Sequence, residues 1–218
     1  MTEPVWRIHD DAAALAEAVA DDVVAVISDA IARRGGALVA LPGGTTPIAI
    51  CARIAAMPLD WACITLFPGD DRCVPIDDPL SNLGMLRTAF AGTDAKVAPL
   101  DAIDQFAWPP DLVWLGVGND GHTASIFPGP DLDAALDPAP GPHCIAVLPD
   151  PLPPEAPVGR MTLTCGAIRD ARALRLVLTG AGKRAVVEQA LAEKDGSAFP
   201  VGRVLAKLSQ PLLLHWCP

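Results

Sequence analysis

Leu115-Gly-Val-Gly-Asn-Asp-Gly-His-Thr-Ala-Ser-Ile-Phe-Pro128 carries the pattern that specifies the fold of this chain. The apolar run Leu112 to Leu115 leads into it, and Gly116 and Gly118 break the run. Asp120, Gly121 and His122 follow, and then small, helix-compatible residues. The pattern predicts a buried strand that leaves a sheet and turns into a helix. In open α/β sheets such turns, at the carboxyl ends of strands, are where ligands bind. The glycines allow positive φ and close approach of backbone to a ligand. His122 exchanges a proton near neutral pH, and Asp120, two residues earlier, is placed to fix its tautomer.

Working outward, the same rhythm recurs. A helical pattern runs from Asp11 to about Arg34, with aspartates early and Arg33-Arg34 late, an order that suits the helix dipole. Gly35-Gly36 stops it. Ala37 to Leu41 is a short buried strand, followed by Gly43-Gly44-Thr45-Thr46-Pro47 and a helix to about Met57. Trp61 to Phe67 reads as a strand ending in Pro68-Gly69-Asp70-Asp71-Arg72, and Ser81-Asn82 as the cap of a helix to about Phe90. His143 to Leu148, Arg160 to Thr164, Leu174 to Thr179 and Leu212 to Trp216 are further strands, with a helix from Lys183 to about Lys194. Strand, loop and helix in repetition predict a three-layer, Rossmann-like α/β fold with a mostly parallel sheet flanked by helices. The proline-dense segment Pro138 to Pro157 is expected as a surface loop within one domain spanning 1–218, because the rhythm resumes after it.

Four loops therefore follow four strands and meet at one edge of the sheet. Gly43-Gly44-Thr45 opens a helix, where amides, hydroxyls and the helix N-terminus suit a phosphate. Asp70-Asp71-Arg72 brings carboxylates and a cation. The opening motif brings Asp120 and His122. Gly180-Ala181-Gly182-Lys183 is a second glycine turn at a helix start, with a lysine where the dipole disfavours one unless an anion binds there. Each is an ordinary turn when taken alone; their convergence points to a site with phosphate cradles, a cation and an acid/base pair.

Bulk properties narrow the classes. The net charge of −10 argues against a nucleic-acid partner. No segment approaches the roughly 20 apolar residues of a membrane helix, and the N-terminus lacks a signal-peptide core, so a cytoplasmic location is expected. The six cysteines, at 51, 63, 73, 144, 165 and 217, form no Cys-x-x-Cys pair. They are expected to be buried apolar side chains in a reducing compartment, with no metal site.

These residues resemble the 6-phosphogluconolactonase family, in the superfamily that also holds the glucosamine-6-phosphate deaminases. The resemblance covers nearly the whole chain, in order: Gly-Gly-Thr-Thr-Pro, Asp-Asp-Arg-Cys-Val-Pro followed by Ser81-Asn82, Asp-Gly-His-Thr-Ala-Ser-Ile-Phe-Pro, Arg160-Met-Thr-Leu-Thr, and Leu-Thr-Gly-Ala-Gly-Lys. It implies the sugar-phosphate isomerase/deaminase-like fold and hydrolysis of 6-phospho-D-glucono-1,5-lactone to 6-phosphogluconate, in the oxidative pentose phosphate pathway, without metal or cofactor. His122 would be the general base and Asp120 its orienting partner. The phosphate would lie on Gly43, Gly44, Thr45, Arg160 and Lys183. Arg72 would serve the phosphate or the developing oxyanion, and Asp70 and Asn119 would contact hydroxyls or water. The chain has Asp71 where the family has glutamate, and Phe127 where the deaminases place an acid before the proline. Two alternatives accompany this reading: a deaminase or isomerase, and a non-catalytic sugar-phosphate sensor. Sequence leaves the oligomeric state open.

Overall fold

Ala37–Leu41 and Leu112–Leu115 are apolar at every position and buried throughout, as a strand covered on both faces must be. In the computed structural model, which describes residues 3–136 and 142–218, these runs are the two central strands of a seven-stranded sheet. The chain runs β1 (Val5–Ile8), α1 (Ala12–Arg34), β2 (Ala37–Leu41), α2 (Thr45–Ala55), β3 (Ile64–Pro68), β4 (Asp70–Arg72), α3 (Asn82–Ala89), β5 (Lys96–Val97), β6 (Leu112–Leu115), α4 (Leu132–Leu136), β7 (Cys144–Val147), β8 (Arg160–Leu163), α5 (Cys165–Asp170), β9 (Leu174–Thr179), α6 (Ala181–Glu193), α7 (Pro200–Ala206) and β10 (Leu212–Cys217). The sheet order is β1-β10-β9-β6-β2-β3-β5, with every pairing parallel. Successive residues of a strand point to opposite faces. Ala37, Val39, Leu41, Leu112 and Trp114 accordingly pack with α1, α2 and α3 on one side. Leu38, Ala40, Val113 and Leu115 pack with α5, α6 and α7 on the other. The three-layer α/β expectation holds.

The order reverses between β2 and β6, since the chain proceeds to β3 and β5 on one side and to β9 and β10 on the other. That switch point opens a crevice at the strands' carboxyl ends. Three caps fix the flanking helices. Asp11 accepts from the Ala13 and Ala14 amides, Ser81 from that of Gly84 and Thr164 from that of Ala167, each contact worth about 1 kcal/mol. No helix among the described residues is long and apolar enough to cross a membrane.

Several expectations need correction. Asp70–Arg72 is not a turn but β4, which joins β8 and β7 in a separate antiparallel sheet. Trp61–Cys63 is a 3₁₀ turn leading into β3. In the proline-dense segment, residues 138–141 lie outside the described residues, while Cys144–Val147 is a strand. The residues after His122 form no helix. Thr123 bridges to Ile126, Ala124 takes φ +49°, and the Thr123 hydroxyl donates back to the Gly116 carbonyl at 2.8 Å. The Phe127-Pro128 step then disfavours helical backbone at Phe127, so the turn tightens instead.

Candidate active site

At the crevice, loops after β2, β3, β6 and β9 enclose an open cleft of about 280 Å³. Gly43, Gly44, Thr45, Asp70, Arg72, His122, Arg160 and Lys183 all line it, as expected from sequence. Asn119 does not; it is exposed on the turn. Asp120 reaches the cleft only through His122.

The two helices that start at the cleft lack side-chain caps, as α7 also does. α2 and α6 are preceded by Gly44 (φ +105°) and Gly180 (φ +87°), and neither N-terminus has a side-chain cap. Helices α1, α3 and α5 are capped by side chains. First-turn amides left without a side-chain acceptor, with the positive end of the dipole behind them, favour an anion.

Around these ends stand three cations. Strand β8 runs antiparallel to β4 and pairs Arg160 with Arg72. Arg160 is buried, its guanidinium donating to the Val158 and Ala156 carbonyls. Burial, reinforced by the like charge of Arg72, pushes its pKa below the usual guanidinium value. Arg72 donates to the Leu80 carbonyl and to Asn82 Oδ1, at 2.9 and 2.8 Å, while its buried Nε has no partner among the described residues. Among the described residues none of Arg72, Arg160 and Lys183 forms an ion pair. A chain of net charge −10 thus gathers three cations at this cleft, and an arriving anion relieves the repulsion between Arg160 and Arg72.

The acid/base pair sits opposite. His122 Nδ1 lies 2.6 Å from Asp120 Oδ1. Burial alone would raise the Asp120 pKa, but the hydrogen bond and charge of His122 outweigh it and hold the carboxyl below its ordinary value. An ionised carboxylate only accepts, so Nδ1 carries a proton, and in the neutral ring the lone pair lies on Nε2. Gly118 makes the pairing possible: a Cβ there would fall 2.2 Å from His122 Nδ1 and 2.5 Å from Asp120 Oδ1. Phe127 stacks on the imidazole, ring centroids 4.2 Å apart, and the Arg160 guanidinium carbon lies 5.7 Å from the same ring.

Asp70 and Asp71 divide their tasks. Asp70 is buried at the cleft and accepts from Ser125 Oγ at 2.5 Å. Asp71 takes the Asn82 and Leu83 amides at 2.6 and 3.1 Å, helping to cap α3. Sequence reasoning missed Asn82 as a site residue, because it read as part of a cap. Ser81 is the cap, which leaves the Asn82 side chain free to bind the Asp70 carbonyl and Arg72. Asn82 also packs so closely that a Cβ at Gly43 would lie 1.8 Å from its Oδ1. An asparagine just inside a helix already capped by serine was the available signal.

Residues 10–213 match the family model described as glucosamine-6-phosphate isomerases/6-phosphogluconolactonase. The chain belongs to this family. A 6-phosphogluconolactonase from Pseudomonas putida is 36% identical over 232 residues, covering 97% of this chain and 93% of that protein. One from Rhizobium meliloti is 35% identical, covering 97% and 98%. The crystal structure of a 6-phosphogluconolactonase from Shewanella baltica superposes with a TM-score of 0.90 at 30% identity, covering 100% of this chain and 99% of that one. The family's shared fold accounts for the parallel sheet and its switch-point cleft.

Proposed function

We propose that this chain, acting as one domain, hydrolyses 6-phospho-D-glucono-1,5-lactone to 6-phospho-D-gluconate, in the oxidative pentose phosphate pathway of the cytoplasm. The observation that carries the reading is the Asp120–His122 pair facing a cleft whose three cations form no ion pair among the described residues. Relatives named 6-phosphogluconolactonase across nearly the full length support it.

In this mechanism the 6-phosphate rests on Arg160, Lys183 and the amides at Gly43, Gly44 and Thr45. Nε2 of His122 takes a proton from water as its oxygen attacks C1. The tetrahedral intermediate collapses by breaking the bond from C1 to the ring oxygen, and the imidazolium returns its proton to that oxygen. The second proton of the attacking water leaves with the newly formed carboxylic acid. Asp120 stabilises the imidazolium, by the logic of the third member of a triad. Proton transfer of this kind contributes about 10²–10⁴-fold. A lactone is a reactive ester, so the proposal routes no step through a metal, cofactor or covalent nucleophile. Arg72 serves either the phosphate or the oxyanion. Arg72→Lys separates the two, raising KM in the first case and lowering kcat in the second.

The deciding experiment supplies freshly generated lactone and follows acid release. Hydrolysis well above the spontaneous rate is expected. Binding without acceleration would leave a sugar-phosphate sensor, and ammonia release from an amino-sugar phosphate would indicate a deaminase.

A further inference from the structure

Trp216 and Arg184 lie outside the cleft, yet Trp216 holds the turn that starts α6 and Arg184 follows Lys183 in its first turn. The Trp216 indole Nε1, in β10, donates to the Gly180 carbonyl at 3.0 Å. The Gly180 amide donates in turn to the Cys217 carbonyl at 2.9 Å. The Arg184 guanidinium carbon lies 4.4 Å from the ring centroid of Trp216 and 5.5 Å from that of Trp6. Its Nε donates to Glu188 Oε1 at 2.7 Å, one turn further along α6. The two indoles share a face of the sheet because β1 and β10 run parallel, with Trp6 opposite Leu214 and Ile8 opposite Trp216. Consecutive helical residues are turned by about 100°. Lys183 therefore points into the cleft while its neighbour Arg184 reaches the indoles on the flank.

We propose that Trp6, Trp216 and Arg184 form a clamp that positions Lys183 for the substrate's phosphate. This rests on the reading of Lys183 as a phosphate ligand. The start of α6 needs such a clamp for two reasons. Gly180 and Gly182 have no Cβ to pack, and the start of α6 has no side-chain cap. A lysine is a point charge on a flexible four-carbon stem, so where it delivers its charge depends on where its backbone is held. Ordering this helix start before binding removes an entropy cost that would otherwise weaken phosphate affinity. The three are positioning residues: Trp216 holds the Gly180 turn, Arg184 packs on Trp216, Trp6 backs Arg184, and none of them lines the cleft.

The test uses Trp216→Phe, which keeps an aromatic ring and removes the N–H donor, and Arg184→Ala at a partly exposed helix position that tolerates alanine. Steady-state kinetics with the phosphorylated lactone are joined by calorimetric binding of inorganic phosphate. Each variant is expected to raise KM and the phosphate Kd about fivefold, the loss of one modest contact, with kcat nearly unchanged. In a Lys183→Ala background neither change should have further effect, because the clamp acts through that lysine. The proposal is overturned if KM and Kd stay at wild-type values, if kcat falls instead, or if the same rise appears without Lys183. If Trp216→Phe does not fold, Arg184→Ala carries the same comparison. A wild-type protein that binds phosphate without accelerating lactone hydrolysis overturns the functional reading, while the phosphate measurements still decide the clamp.

Discussion

His122 and His215 each lie near an aspartate, yet the fold gives them opposite properties. His122 stands on a turn with its side chain 30% exposed, its Nδ1 committed to Asp120 and its other nitrogen free for the cleft. His215 lies within β10, fully buried, 3.9 Å from Asp22. The Asp22 carboxylate is already taken by Arg175, and His215 Nδ1 meets His9 Nε2 at 3.1 Å. Desolvation, with the positive charges of Arg7 and Arg175 nearby, overrides the attraction of Asp22 and lowers the His215 pKa to about 4. Proximity to a carboxylate is therefore not enough to make a base. The partner must be uncommitted, and the ring must keep one edge open.

The largest break in this comparison comes from His122→Asn. It should lower kcat at least about a hundredfold, as expected for loss of a general base, with the melting temperature nearly unchanged. Turnover close to wild type would remove His122 as the base. Asp120→Asn is expected to cost about ten- to a hundredfold in kcat while KM holds, since the amide no longer stabilises the imidazolium; steady-state kinetics at pH 7 read it.

On the other side of the comparison the readout is stability. His215 has a folded pKa of about 4, below its unfolded value of 6.5. Between those pH values the unfolded chain binds more protons, so stability falls as pH drops below about 6.5 and holds steady above it. One pKa unit corresponds to about 1.4 kcal/mol, so about 2 kcal/mol is lost between pH 7 and pH 5. Urea unfolding at both values should show this loss, and His215→Gln should remove most of it. An unchanged pH dependence in the variant would place its origin elsewhere. The smallest effect belongs to Phe127→Leu, which unstacks the His122 ring and should lower kcat about threefold, in keeping with the worth of an aromatic pair. A change in KM alone would assign Phe127 to binding.

Sequence carried much of this. The burial of β2 and β6 on both faces follows from unbroken apolar runs, and the glycine turns mark where strands end. Eight of the ten expected site residues line the cleft, and a ninth, Asp120, reaches it through His122. Those readings are local: backbone freedom, apolar continuity and acid/base chemistry are properties of short stretches. The helix expected after His122 failed only in part for the local reason of the Phe127-Pro128 step. The Thr123–Ser125 segment finds its partners in the Gly116 carbonyl, Thr162 and Asp70, the last two from distant parts of the chain.

What the sequence alone determined is the parallel α/β architecture and the identity of most groups at its carboxyl edge, because hydrophobic periodicity and turn chemistry act over a few residues. Only the tertiary structure decided which charges remain unpaired. The antiparallel pairing of β4 with β8 sets Arg160 beside Arg72. The packing of Asn82 against Gly43 and of Trp216 against the Gly180 loop depends on distances between segments far apart in the chain. The same is true of the histidines. His122 and His215 are the same residue type near the same kind of partner, and burial, which is a property of the folded whole, leaves one imidazole open to the cleft and shuts the other inside the sheet with a lowered pKa.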